Sequence, residues 1–477
     1  MKRRSARSSS KRALAGEVVC RLHLPVRGLA CAVGLAGVAF GCAGQSALVQ
    51  QYEQMRPDLV RADWNEAVEK LKAARGSVYG PRDRVMYWLN LGTLLHYDGQ
   101  YDASMQALVK AEETMQELWT KSISAEASRF VVNETSGAYA GSDHERVLVY
   151  LYTALNRLQQ GRVTDALVEA RRADERLRQM RVAYEREDGL GAAYEQDAFI
   201  LWLVGLLYEI EGSYNDAYLT YRASARSYAE EYAAKFGCSA PAYLAEAIAR
   251  AARLAGLEEE AARMAEKFGA DGHTFDLLAQ GWSEVIVVHG NGEAPRKEQI
   301  TFETLLPDGY YVRVALPDFV VREPQVQRAS VRAGGRTTHT VLAEPVSRIA
   351  AVHHEAQLPA IKARAVARAA VKYAASAGVR EAVKGDGEDS GREVAGTLLG
   401  ILTNAVAAAT EAADLRAWTT LPGEVRVARL WLPPGEVDLE ITFEGAAGRP
   451  VRGHPPVRMA LVLEPGERRV VPVRSVL

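Results

Sequence analysis

Cysteine is scarce. The 477 residues hold four, and three of them, Cys20, Cys31 and Cys42, fall within the first 42. Only Cys238 remains for the body, so no intramolecular disulfide can hold the fold there. It precedes Ser239-Ala240-Pro241 at a helix break and reads as a small apolar residue, not a reactive thiol. An excess of one charge is also missing, with a total of −2. The first 41 residues carry eight Lys/Arg and one acid, which leaves 50 basic against 59 acidic residues beyond them. That balance speaks against nucleic acid as a partner. There is no Walker loop, no glycine fingerprint between a strand and a helix, no His-Glu-x-x-His and no Gly-x-Ser-x-Gly. His353-His354-Glu355 is the one dense cluster of ligand types. Read as an extended, exposed segment, its two imidazoles point opposite ways and do not chelate together. These absences predict no catalytic residue, no metal, no cofactor and no small-molecule substrate.

What is present begins with a leader. Met1 to Arg27 is basic, Gly28 to Phe40 is a short apolar run, and Gly41-Cys42 follows. The run is too short to span a membrane comfortably. The segment resembles a bacterial lipoprotein signal, and the resemblance implies removal of residues 1–41 and lipid on Cys42. Ala43 is not the aspartate that holds such proteins in the inner membrane. The expectation is therefore a lipid anchor in the outer membrane, facing the periplasm.

Residues 42–270 show helical periodicity, with apolar residues every three or four places. In Asp197 to Arg226, Leu201, Val204, Gly205 and Tyr208 lie on one arm and Tyr214, Ala217 and Tyr221 on the other, hinged at Gly212. Small residues where helices approach, and large ones where gaps need filling, make a hairpin that must stack on neighbours. Trp88, Leu91, Gly92, Gly99, Tyr101, Ser104, Leu108 and Ala111 lay out another such unit. Three weaker units flank them, around Trp64 to Ala74, Tyr150 to Ala173 and Gly256 to Met264. The spacings resemble the tetratricopeptide repeat. That resemblance implies a concave face lined by Leu89, Thr93 and Tyr97, then Leu151, Leu155 and Gln159, then Trp202, Leu206 and Ile210. So apolar a lining either grips a partner's helix or tail, or lies under the chain's own C-terminal half. As a site it is assigned here to partner binding. The longest insertion, Lys121 to His144, mixes Gly, Asn, Ser and Tyr and reads as a structured loop. Asn133, Tyr139, Glu145 and Arg146 are its candidate functional residues.

Residues 271–477 change period. Eight short β-branched segments run from Ser283 to Val473, punctuated by Pro433-Pro434-Gly435 and Glu464-Pro465-Gly466. They predict an antiparallel β-sandwich, interrupted by a helical hairpin at about 357–413. Its first helix, Gln357 to Ala377, carries Arg364, Arg368 and Lys372 in one stripe. The second, Glu393 to Ala413, has no charge between Val394 and Thr410 and either packs on the first, or the hairpin leans on the bilayer or docks a membrane protein. Asp414 and Arg416 are placed to pair with or cap nearby backbone, and Trp418 to plug one end of the sandwich.

The fold class expected is α+β, a tetratricopeptide-like array followed by the interrupted sandwich. Asp414 to Pro422, the Asn133 to Arg146 loop and Ala363 to Arg368 together resemble an uncharacterised family of proteobacterial repeat-bearing lipoproteins. The resemblance implies company with outer-membrane or cell-wall assembly proteins and supplies no catalytic residues. The leading expectation is a non-enzymatic periplasmic adaptor for protein partners in the envelope. A regulator of a peptidoglycan-synthesising enzyme stands second, and a cryptic hydrolase third.

Overall fold

The computed structural model describes residues 39–124, 137–186, 195–270, 276–307, 309–384 and 411–477. The N-terminal half is a row of tetratricopeptide-like helix pairs. The pairs are α1 (Ala39–Arg61) with α2 (Trp64–Ala73), α3 (Arg84–Tyr97) with α4 (Tyr101–Ser124), and α5 (Asp143–Gln159) with α6 (Val163–Arg186). They continue with α7 (Ala198–Ile210) and α8 (Tyr214–Ser227), then α9 (Ala242–Leu254) and α10 (Glu258–Phe268). Each helix contacts its hairpin partner, and the second helix of each pair contacts the first of the next, so apolar faces are buried by stacking. Gly212 closes α7 with φ +80°, a left-handed turn that a side chain would strain.

Close approach explains the small residues. A Cβ on Gly92 would come within 2.5 Å of Leu108, and one on Gly205 within 2.5 Å of the Tyr221 ring. The two contacts span the same sequence interval, so the two hairpins are built alike. Ser104 Oγ donates to the Gly92 carbonyl at 2.6 Å. The next hairpin is tied on by Asn156, whose amide donates to Ser104 Oγ at 2.8 Å while its oxygen meets His96 Nδ1 at 2.7 Å.

The strands are β1 (Ser283–Asn291), β2 (Arg296–Leu305), β3 (Tyr311–Val320), β4 (Arg328–Ala333), β5 (Arg336–His339) and β6 (Val341–Glu344). After a long helix, α11 (Val346–Lys384), come β7 (Glu424–Leu432), β8 (Gly435–Glu444), β9 (Val457–Leu463) and β10 (Arg468–Ser475). One four-stranded sheet has the order β10-β1-β7-β6, a second β5-β4-β8-β9, and β2-β3 forms a separate hairpin. The pairing corrects the all-antiparallel expectation: β1 and β10 run parallel. β2 lies outside the eight segments expected, because its interleaved Lys, Glu, Gln and Thr obscure a strand whose partner is supplied by β3 alone.

The first sheet lies between two apolar layers. Val285 and Val287 on β1, Leu430 on β7 and Val471 on β10 join residues of the second sheet in one cluster. Ile286 and Val288, Val425 and Val427, and Val470 point the other way and join the core of the helices. Every residue of β1 is buried, as befits a strand covered on both faces.

The helix expected from about Gln357 starts eleven residues earlier, at Val346, and carries Pro359 inside it. His353 and His354 therefore sit on a helix, and both are buried, not extended and exposed. Of the expected second helix, residues up to 410 lie outside the described part. Glu411 to Ala413 are not helical, and Glu411 forms ion pairs with Arg368 and Lys372 of α11.

Candidate partner surfaces

The concave face is filled by the chain itself. The fully buried Trp418 ring lies 5.6 Å from that of Tyr152, and its Nε1 donates to Thr93 Oγ1 at 2.9 Å. Thr420 N and Oγ1 both donate to Asn90 Oδ1, at 3.1 and 3.0 Å. Tyr97 closes on β1: a Cβ on Gly290 would meet its hydroxyl at 2.6 Å. Gln159 donates to the Val470 carbonyl at 2.9 Å. Leu89, Leu151, Leu155, Trp202 and Leu206 are buried in the shared core, and Ile210 is half-buried against it. The assignment of these nine residues to an open partner-binding groove is corrected: six are buried, and Tyr97, Gln159 and Ile210 are half-buried against the chain's own core and sheet. The physical reason is the sheet β10-β1-β7-β6, which supplies the apolar surface that their lining demands. Trp418 thus plugs the helical array, not one end of the paired sheets.

The loop candidates tie the halves together. Glu145 accepts from Tyr139 Oη at 2.5 Å, from Ser142 N at 2.8 Å and, across the junction, from Trp418 N at 2.6 Å. Arg146 donates to the Ala140 carbonyl at 3.1 Å and lies over Trp119. Asn133 lies outside the described residues. Beside them, Asp143 meets His353 Nε2 at 2.8 Å. Burial alone would raise the Asp143 carboxyl, but His353, Arg146 and Tyr184 hold it well below the usual carboxylate range. His354 Nε2 bonds the Pro317 carbonyl at 3.1 Å. Arg416 pairs with Asp414 at 2.7 Å and also donates to Gly137 O at 3.0 Å and Asp83 at 3.3 Å. Glu145 with Trp418, Asp143 with His353, His354 with Pro317 and Arg416 with Gly137 and Asp83 are buried or partly buried struts between segments distant in sequence.

Among the described residues, no group of three His, Cys, Asp or Glu is placed to hold a metal. Burial pushes the Cys238 thiol up to about 12, which leaves it protonated and inert. Cys42 falls within α1; its side chain is outside the described part. No described helix is long and apolar enough to cross a membrane.

An open surface lies on the other side of the array. A groove of about 560 Å³ runs between α6 and the α7–α8 hairpin. Its floor is Ile200, Leu201, Val204 and Tyr208 of α7, with Thr220 of α8. Its α6 wall carries the exposed Val168 and a rim of both signs, Arg171, Arg172, Asp174, Glu175 and Arg178. Arg172 is held by Glu169 at 3.1 Å and Glu112 at 3.3 Å, so the rim is partly preset. The Leu201 face was legible as apolar, but only as packing within the hairpin. The signal that could have found the groove is Val168, an apolar residue standing among α6 charges where the hairpin core does not need it.

Known structures give remote likenesses. A Podosopora anserina kinesin light chain with nearly identical TPR-like repeats matches at 17% identity, over 47% of this chain and 93% of that one, with a TM-score of 0.30. BtubC from P. vanneervenii matches at 15%, over 50% and 91%, with a TM-score of 0.30. A Rap protein complexed with competence and sporulation factor matches at 14%, over 52% and 60%, with a TM-score of 0.26. No protein-family model matches the chain, and no curated protein does.

Proposed function

We propose that this chain is a non-enzymatic scaffold of the bacterial outer membrane, held by lipid on Cys42 and facing the periplasm. It binds a protein partner of the envelope. The paired sheets act as a β-sandwich that closes the concave face and stiffens the array. The partner then docks in the groove between α6 and α7, as an apolar helix flanked by charges of both signs. The observation that carries this reading is that groove: an apolar floor left open on a helical array whose other face is sealed. Regulation of a peptidoglycan-synthesising enzyme is the same reading with the partner specified.

The test is photo-crosslinking in living cells from Leu201 and Thr220, with Leu155 beneath the sheet as a buried control. Capture of one envelope protein from both groove positions, lost in a Cys42→Ser strain, supports the proposal. Capture from Val462 on β9 with none from the groove overturns it. If the captured protein is a wall synthase, and wall composition changes on deletion, the regulator reading gains.

A further inference from the structure

The interface between the two halves contains a chain of buried charges. Arg250 on α9 donates to Glu209 on α7, with Nε at 2.7 Å from Oε1 and Nη2 at 3.2 Å from Oε2. Arg468 on β10 donates from Nη2 to the same Oε1 at 2.5 Å, and its Nε lies 3.7 Å from Glu284 on β1. Arg429 on β7 completes the chain through Glu284 Oε1. Tyr221 donates to Glu209 Oε2 at 2.7 Å. All five charged groups are buried: Arg250, Glu209 and Glu284 are fully so, and Arg468 and Arg429 are 4% and 6% exposed at the side chain.

Two features leave this cluster unbalanced. Three guanidiniums face two carboxylates, and among the described residues the three arginines make ion pairs with no other acid. Donors are also in surplus. Arg250 Nη1, Arg429 Nη2 and Arg468 Nη1 have no acceptor, and neither do Tyr243 Oη or Trp202 Nε1 close by. The side chains are neighbours: the Trp202 and Tyr243 rings are 5.2 Å apart, Arg429 lies over Tyr243 at 5.8 Å, and Arg250 lies over Trp431 at 5.4 Å. Against five unpartnered donors stands one unpartnered acceptor, Glu284 Oε2. A buried charge without a counterion, and buried N–H groups without acceptors, are both strongly unfavourable.

We propose that this cluster binds a small monovalent anion of chloride size, held by the unpartnered amino groups of Arg250, Arg429 and Arg468. The anion supplies the missing negative charge and a spherical acceptor that several N–H donors can share. Because the arginines come from α9, β7 and β10, it fastens the sheet to the helical array. It is a structural clamp, independent of which partner the outer groove takes.

The test uses the full chain, melted in chloride or in gluconate at constant ionic strength. Melting temperature rises by a few degrees with chloride and stays flat with gluconate. Binding only to the folded form requires this, and screening cannot produce it. Arg468→Met removes the excess charge and abolishes the chloride dependence. If that variant does not fold, bromide in place of chloride in crystals of the unaltered chain gives an anomalous peak within hydrogen-bond distance of Arg429 and Arg250. Equal melting in the two salts, or bromide absent from the cluster, overturns the proposal.

Discussion

Trp418 is the contact on which closure of the concave face most depends, and replacing it is the sharpest test of the architecture. Its ring is fully buried, beside Tyr152 and against α3, more than three hundred residues away in sequence. Trp418→Ala removes the largest apolar group that the 411–424 segment sends into the helices, and truncation of a core Trp costs about 3–5 kcal/mol. It also frees Thr93 Oγ1, which loses the indole donor but keeps its own bond to the Leu89 carbonyl at 3.0 Å. Trp418→Phe keeps most of the apolar bulk and loses the N–H, so about 1–2 kcal/mol is expected from one neutral hydrogen bond and a small void. Urea unfolding followed by circular dichroism measures both, and hydrogen exchange at Thr420 N reports whether the segment lifts locally. In the alanine variant that amide should exchange faster before global unfolding, since its bond to Asn90 depends on the indole above it. A cost below about 1 kcal/mol for the alanine variant, or equal costs for the two, would refute the sealed groove.

Two further perturbations test the array and its junctions. Gly205→Ala drives a methyl into the fully buried Tyr221 ring, whose hydroxyl is fixed on Glu209. Destabilisation of about 1–3 kcal/mol is expected from overpacking, and a neutral or stabilising result in urea unfolding would mean that α7 and α8 do not cross there. His96 gives a pH dependence. Burial pushes its imidazole down to about 4, against a smaller opposing pull from Asn156, whereas the unfolded chain titrates near 6.5. Between those values the unfolded state takes up a proton that the folded state refuses. Stability is therefore full above about pH 6.5, falls as pH drops to about 4, and loses on the order of 3 kcal/mol from this group. His96→Gln should flatten the slope of unfolding free energy over that window; an unchanged slope would show that the imidazole is protonated in the fold.

The sequence made the helix pairs legible because their contacts are local. Gly92 against Leu108 and Gly205 against Tyr221 lie within one hairpin, so spacing alone places them face to face. Closure of the groove was not legible in that way. Asn90 with Thr420, Glu145 with Trp418 and Glu209 with Arg468 join residues hundreds of positions apart, and no periodic pattern encodes such a pairing. Half of the clue was nonetheless present. The run Val285-Ile286-Val287-Val288 has no polar alternation, which a strand with one wet face would show. Set beside a helical face too apolar to stay open, it pointed to a sheet with helices on one side and a second sheet on the other. His353 and His354 failed for the opposite reason: their neighbours suggested an extended segment, yet a helix that begins at Val346 buries both. The buried arginines were the least readable feature. Lys, Arg and Glu are read as solvent-facing unless a partner is known, and of these pairs Arg468 with Glu209 forms only once the sheet has docked on the helices. Docking is therefore what makes the seal and what buries the sheet's surplus arginine charge against Glu209.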